Sequence, residues 1–134
     1  MTFMDHVNLT RKYGGAVHKT DINQSEIMKS SPYYPEKFTG ELYDKGARFS
    51  RPLYIFMTHL DFNTQVNELK VPAYFFCGLY DYVTPAKQVE EYYRILKAPH
   101  KEIVWFAESA HRMDIEEPEK FQNKIIEIAE KHTR

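Results

Sequence analysis

The chain has 134 residues, a formal net charge of −1 and a pI near 6.6, which is the size of one domain. It lacks the basic excess typical of proteins that bind nucleic acid or an anionic membrane, and no apolar run approaches the ~20 residues of a membrane helix. The single Cys77 excludes an intramolecular disulfide and is typical of a reducing compartment. Residues 1–6 show no signal-peptide pattern, so the sequence predicts a cytoplasmic protein.

The first thirty residues predict little regular structure. Residues 1–20 are polar and without periodicity, which indicates a loop, and the glycine pair at 14–15 indicates a turn. Residues 21–29 predict a short helix whose N-cap is Asp21 or Ser25.

The next segment predicts two consecutive helices, the second of which begins at an N-cap of its own. The prolines within 31–35 predict a break, because the residue before a proline is pushed out of the α region. Residues 36–49 then predict a helix with a ragged apolar stripe, formed by Phe38, Leu42 and Tyr43. Ser50 is the expected N-cap of a further helix, whose apolar residues 53–57 we expect to be buried or covered.

A strand–helix–strand unit follows and dominates the second half of the chain. Residues 71–77 form an apolar run closed by Gly78, and residues 103–106 form a second run. Between them lies one apolar helical face with the spacing i, i+3, i+4 and i+7, made by Val89, Tyr92, Tyr93 and Leu96. Continuous apolar runs joined by a crossover helix predict parallel strands.

Asp81 follows the first strand and His111 follows the second. Because parallel strands end at the same edge of a sheet, we expect both side chains at one edge, where open α/β sheets bind ligands. A carboxylate that orients a histidine is half of a charge-assisted catalytic pair. The sequence therefore predicts Asp81 and His111 as the catalytic residues.

A last helix is predicted to start at Pro118, with Phe121, Ile125 and Ile128 on its apolar face. The change from helices alone to alternating strands and helices near residue 61 suggests two parts. We predict a helical, cap-like segment at 1–60 and a β-α-β-α core segment at 61–134. The fold class expected is α/β.

Residues Tyr92-Tyr93, Ala98-Pro99, Ile103-Val104-Trp105-Phe106 and the Glu-Glu-Pro-Glu run resemble the proline iminopeptidase-like serine hydrolases, and Lys12-Tyr13-Gly14-Gly15 resembles their helical cap. Four short motifs resemble the C-terminal part of the superfamily to which these enzymes belong, the α/β-hydrolases. They are Gly78-Leu79-Tyr80-Asp81, Thr84-Pro85, Ser109-Ala110-His111 and Glu116-Glu117-Pro118-Glu119-Lys120-Phe121. In that superfamily the triad runs in the order Ser, acid, His. The resemblance implies a partial hydrolase fold, Asp81 as the acid, His111 as the base and a peptide, amide or ester substrate, with an N-terminal proline as one option.

The nucleophile expected of such an enzyme is not in this sequence. No Gly-x-Ser-x-Gly occurs, and none of the serines has a strand–turn–helix context: Ser25, Ser30, Ser31, Ser50 and Ser109. The function expected is that of the C-terminal portion of a serine hydrolase, inactive by itself. The alternative is a non-catalytic chain that acts as an oligomeric interaction module.

Several rival assignments remain open at this point. Asp114 and Glu108 flank His111 and are alternative acid partners, and Cys77 with His111 is an alternative nucleophile–base pair. The histidines show no metal-ligand spacing, so we predict neither a metal nor a cofactor. A small or short-peptide substrate and self-association are the expected partners, since two strands alone leave an open sheet edge.

Overall fold

A computed structural model describes residues 3–30, 32 and 40–133. They form two compact units, one made of residues 3–22 with 67–133 and the other of residues 23–66. The helices are α1 (Phe3–Lys12), α2 (Gln24–Ser30), α3 (Gly40–Met57), α4 (Phe62–Gln65), α5 (Ala86–Ile95), α6 (Met113–Glu116) and α7 (Pro118–His132). The strands are β1 (Ala73–Gly78) and β2 (Lys101–Phe106).

The first unit is built on the predicted parallel pair. β1 and β2 pair in parallel from Ala73 opposite Lys101 to Gly78 opposite Phe106, and α5 crosses between them. The α/β class and the strand–helix–strand order are confirmed, because both apolar runs form strands that differ from the predicted bounds by one or two residues. Within residues 3–30, 32 and 40–133 the sheet has these two strands, which defines an α/β arrangement without specifying a hydrolase fold.

The crossover helix packs through the face that its periodicity predicts. Leu96, at its C-terminal end, is 1% exposed, and the rings of Tyr92 and Tyr93 meet Phe75 of β1 edge-on at 5.9 Å. Aromatic pairs prefer such edge contacts over flat stacking. This packing fixes α5 over one face of the sheet.

The sheet also packs against the C-terminal helices α6 and α7. Val104, Phe106 and Met113 form a buried cluster against which Phe76 and Phe121 pack. α7 begins at Pro118 as predicted, because proline at the first helical position loses no hydrogen bond. Farther along the same helix Ile125 and Ile126 are nearly half exposed, whereas Ile128 is partly buried, so the apolar face of α7 is only partly covered.

The loop predicted for residues 1–20 is wrong over its first half, which forms α1. Asp5 lies in the first turn and Arg11 and Lys12 in the last, which favours a helix through its dipole. The glycine turn is confirmed. Gly14 has φ 75°, and the N–H of Gly15 donates to the Thr10 carbonyl at 2.8 Å, which is a Schellman C-cap.

The second unit is helical, with a different cap from the two predicted. Asn23, rather than Asp21 or Ser25, precedes α2, and its Oδ1 accepts from the Glu26 N–H at 3.4 Å. The carbonyl of Asn23 also accepts from the N–H groups of Glu26 and Ile27. The predicted break at 31–35 and the start of the following helix, with Phe38, lie outside the described residues, apart from residue 32.

The predicted restart at Ser50 is also wrong, because α3 runs through it to Met57 with Pro52 inside. Ser50 donates from Oγ to the Gly46 carbonyl at 2.9 Å, four residues back, instead of capping a new helix. The apolar residues 53–57, expected to be covered, are each at least half exposed. The first sixty residues as a cap over the remainder therefore stay a prediction.

Candidate active site: the Asp81–His111 pair

The carboxyl ends of the two strands carry the candidate site. We call residues 79–84, after β1, the acid turn, and residues 107–112, after β2, the histidine loop. The N–H of Leu79 donates to the Phe106 carbonyl at 3.0 Å, and the N–H of Tyr80 donates to the Ser109 carbonyl at 3.1 Å. These bonds extend the strand pairing into both segments and hold them side by side.

Gly78 makes this close approach possible. A Cβ built on Gly78 would overlap the carbonyl oxygen of Ala110 and lie 2.5 Å from that of Ser109. Any side chain at this position would push the histidine loop away from the acid turn. The glycine that closes the apolar run thus has a steric role, since its φ is not in the left-handed region.

The two predicted residues meet at this edge. His111 Nδ1 lies 2.9 Å from Asp81 Oδ2, within hydrogen-bonding distance. An ionised carboxylate can only accept, so Nδ1 carries the proton and the neutral imidazole keeps its lone pair on Nε2. Thirty positions separate the residues, and the parallel strand geometry brings them together as expected.

Asp81 is held by several donors besides His111. Its Oδ1 accepts from the N–H groups of Val83 at 2.8 Å and Thr84 at 2.9 Å, and its Oδ2 accepts from Thr84 Oγ1 at 2.7 Å. Burial disfavours the ionised form, but the hydrogen bonds from His111 and Thr84 outweigh it and lower the pKa of Asp81. Asp81 is therefore an ionised, preoriented carboxylate at neutral pH.

The imidazole of His111 is open to solvent on one side. Its side chain is 42% exposed, whereas that of Asp81 is 4% exposed. The hydrogen bond with Asp81 raises the pKa of His111 above its ordinary value, against the opposing effects of partial burial and the Arg112 charge. A half-exposed histidine with a buried carboxylate behind it can accept a proton from an incoming hydroxyl and share the resulting charge.

The rival acids have other partners. Asp114 accepts two hydrogen bonds from the Arg112 guanidinium, at 2.8 Å and 2.7 Å. The Glu108 carboxylate lies 3.5 Å from Lys19 Nζ. Among the three acids, Asp81 is the one hydrogen-bonded to His111.

The rival nucleophiles whose side chains the structure describes are hydrogen-bonded or buried. Burial, with the charges of Asp81 and Glu90, raises the pKa of Cys77 to about 11, so its thiol is inert. Ser109 is fully buried and donates from Oγ to Glu117 Oε2 at 2.6 Å. The hydroxyls of Ser30 and Ser50 donate to carbonyls of their own helices.

Three residues of the site occur in the sequence motifs but were given no role there. Thr84 bonds to the Asp81 carboxylate, and Glu116 and Glu117 accept hydrogen bonds from the histidine loop. The spacing Asp-x-x-Thr is a known turn pattern that could have indicated Thr84. The two glutamates precede Pro118 at the start of the last predicted helix, and only the fold turns their carboxylates toward the loop.

Other site types find little support in the part of the chain that the structure covers. A shallow, open depression beside Tyr80 is lined by His18, Lys19, Thr20, Asp21, Ala107 and Glu108. No group of three or more potential ligands among the described residues could hold a metal ion. No described helix is both long enough and apolar enough to span a membrane.

Comparison with known proteins gives one partial relative. Over 69 residues the chain is 41% identical to a protein described as "Probable aminopeptidase YbaC" from Bacillus subtilis (strain 168). The match covers 52% of this chain and 22% of that protein, so the chain spans less than a quarter of its relative. No family model matches the chain, and no solved structure matches it.

These findings correct the family predicted from the motifs. Membership of the α/β-hydrolase superfamily, and of its proline iminopeptidase-like branch, is supported by no family model. The relative that matches is described as a probable aminopeptidase, over about half of the chain. A likeness to that aminopeptidase replaces the predicted family assignment.

Proposed function

We propose that this chain carries the acid and base of a serine-type hydrolase that cleaves peptide or amide bonds. The observation that carries the proposal is the 2.9 Å hydrogen bond between His111 Nδ1 and the buried Asp81 carboxylate. The likeness to a probable aminopeptidase supports a substrate cleaved at its N-terminal peptide bond. Esters fit the same chemistry and form the second substrate class.

In this mechanism the attacking hydroxyl belongs to a segment outside this chain. His111 Nε2 removes the proton from that hydroxyl as its oxygen bonds to the acyl carbon, and then returns a proton to the leaving amine. Asp81 keeps Nδ1 protonated and stabilises the imidazolium that forms. Water next attacks the acyl intermediate, with His111 again as the base, which releases the acid and the free hydroxyl.

We expect activity only when the chain is joined to a segment that supplies the nucleophile. The 134-residue chain alone should release no p-nitroaniline from aminoacyl p-nitroanilides above the buffer rate, because the nucleophile is missing. The same chain, expressed in frame with its preceding coding sequence, should turn them over if that segment supplies a serine nucleophile. Turnover by the 134-residue chain that disappears on Ser109→Ala would identify Ser109 as the nucleophile and contradict the proposal.

The matched variants in the longer protein are His111→Ala and His100→Ala. Both side chains are about two-fifths exposed, at 42% and 40%, but only His111 bonds to Asp81. His111→Ala should remove nearly all turnover and His100→Ala should retain it, while Asp81→Asn should lower kcat on the order of 10⁴-fold. Full turnover by His111→Ala would refute the proposed function.

The second candidate function is a non-catalytic interaction module. It is favoured by exposed apolar residues on α3, among them Leu53, Ile55 and Phe56, since large exposed apolar patches mark interaction sites. An inactive longer protein in which this chain still self-associates would favour the module over the hydrolase.

A further inference from the structure

The carboxylate of Glu116 accepts hydrogen bonds from two separate backbone segments. Glu116 is 3% exposed. Its Oε2 accepts from the N–H of Ala110 at 2.7 Å, and its Oε1 accepts from the N–H groups of His18 at 2.6 Å and Lys19 at 2.8 Å. A buried carboxylate is tolerated only when its oxygens are paired in this way.

The hydrogen bond from Ala110 links Glu116 to the base, His111. Ala110 directly precedes His111, so the bond to Oε2 fixes the peptide from which the imidazole extends. The neighbouring Glu117 carboxylate accepts from the Glu108 N–H at 3.0 Å and from Ser109 Oγ at 2.6 Å. Glu117 therefore anchors the start of the histidine loop, and Glu116 anchors its catalytic end.

The hydrogen bonds from His18 and Lys19 link Glu116 to a segment that contacts the acid turn around Asp81. The imidazole of His18 stacks on the Tyr80 ring, with centroids 3.7 Å apart and planes 1° from parallel, and Tyr80 directly precedes Asp81. The N–H of Tyr82 donates to the Gly15 carbonyl at 3.1 Å. Residues 15–19 are thus attached to the acid turn on both sides of Asp81 and to Glu116.

We propose that Glu116 is a positioning residue that holds the acid turn and the histidine loop in the geometry of the Asp81–His111 pair. It acts through Ala110 on the base and through residues 15–19 on the acid, without touching substrate. The inference depends on the proposed function for its catalytic meaning, but the geometry it concerns exists in the chain without turnover.

The variant that tests this proposal most directly is Glu116→Gln in the 134-residue chain. A carboxamide has one acceptor oxygen, so its NH₂ group must face either Ala110 N–H or the N–H groups of residues 18 and 19. One attachment is lost while Glu117 still holds the start of the loop. The control is Glu119→Gln, the same change at an exposed position three residues farther along the chain.

The readout is the pH titration of the His111 ring by NMR, assigned with His111→Ala. The charged groups that act on this ring are Asp81, Arg112 and Asp114. Glu116→Gln also removes the negative charge of Glu116, so Glu116→Asp, which keeps that charge, is titrated beside it. Glu116→Gln should shift the His111 titration to lower pH as the Asp81 hydrogen bond loosens, whereas Glu119→Gln should match the wild type. An unchanged His111 titration in a natively folded Glu116→Gln chain would overturn the proposal.

A folding defect is separated from the positioning effect by a second variant. If circular dichroism shows that Glu116→Gln is unfolded, Glu116→Asp keeps the charge but shortens its reach, and the same shift is expected. If both variants unfold while Glu119→Gln does not, Glu116 has a purely structural role and the positioning proposal is rejected. A shifted titration combined with an inactive longer protein would retain the positioning role and reject the hydrolase.

Discussion

At the residue scale, Asp81 and His111 differ in both exposure and role. Asp81 is buried and accepts hydrogen bonds from Val83, Thr84 and His111, so its orientation is fixed before any substrate arrives. The His111 side chain is 42% exposed, so it can be reached from solvent. This division is what a general base with an orienting carboxylate requires.

The opposite pKa shifts define a pH window. The raised pKa of His111 means that its stabilising effect is fully present below the ordinary value of 6.5 and is lost as pH rises through the raised value. The lowered pKa of Asp81 means that its effect is present above 3.8 and is lost as pH falls through the lowered value. The charged pair therefore stabilises the fold most between these two ordinary values.

Asp81→Asn should lower the pKa of His111 and remove this window. Urea unfolding at a series of pH values measures the free energy of unfolding of both proteins. The wild type should have the larger value, by the greatest margin between pH 3.8 and 6.5, and this margin should narrow above the raised pKa of His111. Asp21→Asn, an exposed carboxylate change in the same unit, is the control. A difference in unfolding free energy that stays constant with pH would contradict the assignment of a charged pair.

At the element scale, the site depends on how closely β1 approaches the histidine loop. The parallel strands bring their ends to one edge, but parallel pairing alone does not set the last few ångströms. That distance depends on the absent side chain at Gly78 and on the carbonyls of Ser109 and Ala110. The contact is part of the backbone packing, so a single methyl group can disturb it.

Gly78→Ala should lower the free energy of unfolding by about 1–3 kcal/mol, because the new Cβ displaces backbone that cannot rotate away. The matched control is Gly46→Ala in α3, where a Cβ meets nothing within 4 Å. That change should stabilise by ~0.5–1 kcal/mol, since alanine is the better helix former. Urea unfolding checks both, and equal stability of Gly78→Ala and wild type would show that the loop yields without cost.

At the scale of the whole molecule, the described part leaves much apolar and backbone surface uncovered. The sheet has two parallel strands there, and such a sheet is marginal in water and offers open edges. Phe49 and Phe56 of α3 are 89% and 60% exposed. These surfaces predict that the 134-residue chain associates with copies of itself.

Sedimentation equilibrium at micromolar concentration should give a mass above the 16.0 kDa of one chain. Phe56→Asp should lower the association, because it places a charge on an exposed apolar surface, whereas Arg51→Ala on the same helix should leave it unchanged. A single 16.0 kDa species with cooperative thermal unfolding would mean that the chain has a self-sufficient core.

Short-range signals in the sequence determined the elements around the site. Apolar runs of strand length, a helical stripe between them and Pro118 predicted β1, β2, α5 and α7, because these patterns reflect local burial. The parallel direction then placed Asp81 and His111 at one edge. The same signals failed for α1, which lacks a clear stripe, and for α3, where Ser50 inside the helix was interpreted as the N-cap of a new helix.

Only the tertiary structure decided which groups support the pair. Thr84 on Asp81, the steric role of Gly78, and the attachment of residues 15–19 to Ala110 through Glu116 all join segments far apart in the chain or depend on side-chain direction. Sequence spacing carries no information on such contacts, since they form when separate segments pack together. The sequence thus determined the residues of the pair and its edge of the sheet, whereas packing decided what holds the two side chains 2.9 Å apart.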